Sequence, residues 1–154
     1  MFMLGWSLIV ACATLAGSWS GNLECDHGDD SYVKNEEIEI EFDLEGGPDG
    51  YEGTGSSKGS FDVDDTGGNT YTFTVEIEFD LEVDELDGSG EQELDQSAEI
   101  TDCEADVSPE IQGYDATSEV CDGAEDPSGD GEWTWDGRNT ISTEGDDCEG
   151  ELER

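Results

Sequence analysis

The chain has 154 residues and a formal net charge of −40, from 44 Asp and Glu against four Lys and Arg. A surface this acidic excludes nucleic acid and anionic lipid headgroups as direct partners, because both would be repelled, and leaves cations, basic proteins or neutral ligands. Composition alone would suggest disorder, since branched aliphatic residues and Phe are scarce, so the case for a fold rests on residue order.

Residues 2–16 are uncharged and mostly apolar, and the acidic chain begins only after them. They divide the chain into an export-signal region, 1–16, and a single acidic β domain, 17–154. The apolar run is short for a bilayer span and matches the core of an export signal. Ile9-Val10-Ala11-Cys12 resembles the lipobox of bacterial lipoproteins, in which the cysteine is lipidated and becomes the new N-terminus. Thr14-Leu15-Ala16 followed by Gly17 is a competing site for ordinary signal cleavage, and an uncleaved anchor is a third reading. The expected location is therefore extracytoplasmic: a cell-surface or outer-membrane lipoprotein held to the membrane by a lipid anchor or signal segment, otherwise a secreted protein. The cysteines agree, because setting Cys12 aside leaves Cys25, Cys103, Cys121 and Cys148, enough for two disulfides in an oxidising compartment. No CxxC pair suggests zinc, and His27 is isolated.

Residues 18–25 read as a first strand with Trp19, Gly21, Leu23 and Cys25 on one face, and the alternation of Cys148, Gly150, Leu152 and Arg154 reads as a last strand. Set antiparallel with Cys25 opposite Cys148, the two strands bring Leu23 to Gly150, Gly21 to Leu152 and Trp19 to Arg154. Large then meets small twice, one end closes by a disulfide, and at the other a guanidinium lies on an indole. First strand beside last strand is how a sheet closes into a barrel and loses its edges. Gly17-Ser18-Trp19 with a terminal-strand arginine is similar to the lipocalin and fatty-acid-binding (calycin) barrels. The chain as a whole also resembles small acidic bacterial surface lipoproteins. The calycin resemblance implies barrel closure by Trp19 and Arg154 and an internal cavity for a small apolar ligand, although small barrels are often filled by their own side chains.

Between the ends, Ile38, Ile40, Phe42 and Leu44 mark a second strand, whose heptapeptide Glu39–Glu45 recurs as Glu76–Glu82. Residues 46–50 form a turn, and 51–56 and 58–64 read as short strands either side of a loop. The clearest period lies in 70–84, where Tyr71, Phe73, Val75, Ile77, Phe79, Leu81 and Val83 alternate with Thr, Glu or Asp. A helix would smear these apolar groups around its whole surface, so this is a ribbon with one apolar and one acidic face. A weaker strand carries Leu94, Ala98 and Ile100. Residues 104–120 have no clean period and are expected to be a loop stapled by Cys103–Cys121. Trp133 and Trp135 start a further strand. The expected fold is all-β, an antiparallel meander closing into a small barrel of about eight strands, with a β-sandwich as the alternative.

Chemistry is sparse. Asp126, Ser128 and Asp130 resemble the first half of a calcium loop, but the twelfth position is Gly137 where a bidentate Glu belongs, so an Asp/Gly turn is the simpler reading. Gly55-Ser-Ser57-Lys-Gly59 matches G-x-S-x-G outside a strand-to-helix elbow and is expected to be an exposed loop. Tyr71, Phe73, Trp133 and Trp135 are candidates for lining a cavity. The expected function is that of an exported, non-enzymatic surface module with no bound cofactor, taking a small apolar ligand or a basic protein. A structural envelope protein and a low-affinity Ca2+ or other cation binder are the alternatives.

Overall fold

The computed structural model describes residues 14–25, 32–87, 90–124, 132–145 and 148–154. Cys12, His27 and the calcium-like residues Asp126, Ser128 and Asp130 lie outside them. Nine antiparallel strands make one sheet curled into a half-barrel: β1 Gly17–Cys25, β2 Val33–Gly47, β3 Gly50–Asp64, β4 Thr70–Val83, β5 Gln92–Leu94, β6 Gln96–Ser108, β7 Glu132–Trp135, β8 Thr140–Glu144 and β9 Cys148–Glu153. One short helix, α1 Ala116–Cys121, follows β6. The lateral order is β5-β7-β8-β9-β1-β2-β3-β4-β6. Only Asp95 separates β5 from β6, so the two ends of that order are one length of chain. At this pole the pairing runs full circle: β6 holds β4 through Ala98↔Leu81, while β5 holds β7 through Leu94↔Trp133. At the other pole β2, β3, β4 and β6 run on as an open four-stranded wall.

Alternation fills the closed pole. Trp19, Phe42, Leu44, Phe79, Leu81, Trp133, Trp135, Ile141 and Leu152 all point inward and pack as one core. The inward face of β3 carries almost no side chain between Gly53 and Gly59, and this lets its neighbours lie across it. A Cβ on Gly55 would stand 2.5 Å from the Phe79 ring and 2.7 Å from Phe42 Cβ, closer than real contacts allow. Gly55→Val should therefore cost on the order of 3 kcal/mol by overpacking. Gly47→Ala, with nothing within 4 Å of the added carbon, should leave the denaturant midpoint almost unchanged.

These glycines correct the reading of Gly55–Gly59 as a loop between two short strands. Residues 50–64 are one continuous strand, with Lys58 in its middle. Turn-forming residues stand there because the core needs small groups, so Lys58 is not on a loop. The expected loop over 104–120 is also corrected. Strand β6 continues to Ser108, and the chain returns through α1, whose N-terminus is capped by Asp115. Thr117 Oγ1 accepts from the Ala105 amide (3.1 Å) and donates to its carbonyl (3.0 Å), covering an edge that would otherwise be open to pairing.

Candidate functional site

The floor of the closed pole is built around Trp19. Its indole N–H donates to the Leu15 carbonyl at 2.9 Å, and the Arg154 guanidinium carbon sits 4.6 Å from the ring centroid. Arg154 Nη2 also donates to the Thr14 carbonyl, and its backbone N–H donates to Asn139 O. Leu15 is wholly buried, and its N–H faces the Tyr51 hydroxyl at 3.4 Å. Gly17 holds φ +135°, which side-chain-bearing residues rarely adopt, and this bend brings residues 14–16 under the barrel.

Strands β1 and β9 pair in the register expected from sequence: Cys25↔Cys148, Leu23↔Gly150 and Gly21↔Leu152. The disulfides are Cys25–Cys148 and Cys103–Cys121. Two bridges point to an oxidising, extracytoplasmic setting. No helix among the described residues is long and apolar enough to cross a membrane.

The four residues expected to line a cavity are not brought together. Trp133 and Trp135 are 8% and 3% exposed inside the packed core. Phe73 stacks on Phe61 at 5.2 Å and meets Tyr114 edge-on at 6.3 Å, on the open wall. Tyr71 lies beyond it, paired with Val63. Inward-facing Leu23, Ile38, Val75 and Ile77 are half-buried between the two groups. The hydroxyl of Ser57 donates to the Glu39 carbonyl at 3.2 Å, and His27, the chain's one histidine, lies outside the described residues. No cluster of three or more metal-ligating side chains occurs among the described residues.

The outer wall shows an order that strand periodicity does not reveal. Across its middle, acidic strands alternate with strands carrying short neutral groups and one lysine. Ser18, Ser20 and Asn22 of β1 face Asp43, Glu41 and Glu39 of β2, which face Thr54, Ser56 and Lys58 of β3, which face Asp80, Glu78 and Glu76 of β4. Several neighbours bond directly: Ser18 Oγ to Asp43, Ser56 Oγ to Glu41 at 3.3 Å, and Lys58 Nζ to Glu76 at 2.7 Å. Long carboxylates beside short hydroxyls leave a shallow groove of about 560 Å3 between Ser20, Asn22, Glu39, Glu41, Lys58 and Glu76. In these rows the spacing keeps the carboxylates of β2 and β4 two strands apart, roughly 10 Å, near the screening length at physiological salt.

Carboxylates do meet directly along the β4–β6 seam, where Glu76 faces Glu104, Glu78 faces Asp102 and Asp80 faces Glu99, and toward the strand ends, where Glu52 faces both Glu45 and Glu82 and the row Glu24, Glu149, Glu144, Glu132 crosses four strands. Like charges directly opposite are destabilising. The melting temperature should therefore rise steadily from low-millimolar to molar salt. Asp102→Lys should add about 0.5 kcal/mol at low salt and lose that gain near 1 M, where the screening length falls to about 3 Å. A flat melting curve across that range would contradict this account of the charge.

The open-pole turn between β3 and β4 is held by carboxylates. Asp65 accepts from the side chain and backbone of Asn69 and from Gly67 N–H, Asp64 from Lys34 and Thr70, and Asp62 from Asn35 and Thr72. These bonds hold all three below the usual carboxylate range. The stabilisation is complete above the ordinary Asp pKa and is lost as pH falls through the depressed folded values. Amide-exchange protection at Gly67 and Asn69 should drop over that acidic interval.

The fold and its seams thus define an all-β, disulfide-bonded antiparallel half-barrel. Comparison with protein-family models, curated proteins and solved structures gives no match to this chain.

Proposed function

We propose that this is an exported, non-enzymatic surface module, attached to the cell envelope through a lipid on Cys12, that works through its acidic exterior and open pole. The observation carrying this reading is the filled closed pole. Leu15, Trp19, Trp133, Trp135, Ile141 and Leu152 occupy the space in which an enclosed ligand would sit. The striped wall supports it, because spaced carboxylates keep an acidic barrel soluble and unaggregated in salt. The Trp19–Arg154 contact supports the calycin resemblance at the level of closure.

A second reading keeps a small apolar ligand at the open pole, favoured by half-buried, inward-facing Leu23, Ile38, Val75 and Ile77. Titration with an environment-sensitive fatty-acid probe separates the two. The surface-module reading expects no saturable signal. Saturable binding that weakens in Ile38→Asn and Ile77→Asn, with the fold retained, would replace it by the ligand-binding reading.

A further inference from the structure

We propose that the closed pole is the pole presented to the membrane, and that export processing leaves Thr14, Leu15 and Ala16 on the mature chain. This rests on the reading of the protein as exported. Residues 14–16 behave as part of the barrel floor. Leu15 is wholly buried against the core, its carbonyl takes the Trp19 indole N–H, and the Thr14 carbonyl takes the Arg154 guanidinium. Cutting between Ala16 and Gly17 would strip the buried Trp19 indole N–H of its acceptor, remove the exposed Arg154 contact with Thr14 and uncover the core. A buried donor left without an acceptor is costly, so that bond is a poor processing site for a folded product. Cleavage upstream of Thr14 leaves the floor intact.

The same contacts fix the end of the barrel from which the N-terminal chain emerges. Thr14 lies beside Tyr51 and Arg154 at the closed pole, so an attachment upstream of Thr14 draws that pole inward. Charge placement does not decide between the poles. Arg138, in the β7–β8 turn, and Arg154 are both exposed at the closed pole, whereas Lys34 pairs with Asp64 on the open wall and Lys58 with Glu76 in mid-wall. The closed pole also carries exposed Glu45, Asp49, Glu52, Glu82, Asp84, Glu85, Asp136 and Glu153, so the orientation rests on where residues 14–16 emerge and not on charge.

The test uses the full chain, expressed in an exporting host and purified from its membranes. Mass spectrometry should find a mature N-terminus upstream of Thr14. A lipid on Cys12 supports both this inference and the lipoprotein reading. An unlipidated start upstream of Thr14 supports the retention of residues 14–16 while refuting the lipid anchor and the orientation drawn from it, and a folded mature chain starting at Gly17 overturns the retention. Carbodiimide labelling then reports orientation, comparing vesicles of phosphatidylcholine and phosphatidylglycerol with detergent. Asp49, in the closed-pole β2–β3 turn, should label several-fold more slowly on vesicles, with Asp65 in the open-pole turn unchanged. Equal labelling in both settings, or shielding of Asp65 instead, overturns the proposed orientation.

Discussion

Replacing Cys25 and Cys148 together by serine should lower the unfolding free energy by about 5 kcal/mol, against about 3 kcal/mol for the Cys103 and Cys121 pair. The difference follows from loop length. The first bridge joins residues 123 apart in sequence and the second residues 18 apart, so the first removes more freedom from the unfolded chain. It also pins the top of the β1–β9 seam, the join between the two ends of the described chain. A domain with the usual 5–15 kcal/mol of stability, further burdened by carboxylate repulsion, would be largely unfolded without it at low salt. Denaturant titrations of the two double variants in the same buffer test the ranking. Equal losses would mean that the unfolded chain is already compact around the chain ends.

The second large effect is expected at Trp19. Trp19→Ala should cost about 3–5 kcal/mol, because it empties the largest wholly buried side chain and leaves a cavity beneath Leu15. It also removes the surface on which Arg154 lies. The cation–π part, about 0.5–2 kcal/mol, is isolated by a double-mutant cycle of Trp19→Leu with Arg154→Met. Arg154→Met alone should be more harmful than Lys58→Met, since Arg154 joins Trp19, Thr14 and Asn139 whereas Lys58 makes one exposed ion pair with Glu76. Zero coupling between Trp19 and Arg154 would remove the contact from the account of barrel closure.

The closing seam was legible because it depends only on alternation. Once Cys25 is set opposite Cys148, the pairs Leu23–Gly150, Gly21–Leu152 and Trp19–Arg154 follow. Strand β3 was harder to read, because its inward positions are glycine and serine, which carry turn signals in sequence and act as packing space in the fold. Strand β6 is hard to follow in the sequence past Ile100 for a different reason. The pairing shifts between Glu78 and Phe79, so inward residues change from Ala98 and Ile100 to Cys103, Ala105 and Val107, and the period breaks although the strand continues. The lateral striping needs cross-strand register and has no signature along the chain. Leu15 reads as part of the export-signal region because its apolar neighbours suit that role, while its burial under Trp19 depends on the bend at Gly17.

Pairing runs full circle at the closed pole, through β1–β9 on one side and β5–β7 on the other. Backbone nuclear Overhauser effects in isotope-labelled protein at molar salt test it directly. Cross-strand contacts are expected between Asn22 and Glu151 and between Glu93 and Thr134, together with those between Leu81 and Ala98. A spectrum in which β1 contacts β2 alone, and residues 92–94 show no contact to 133–135, would contradict closure and make the protein an open sheet or sandwich.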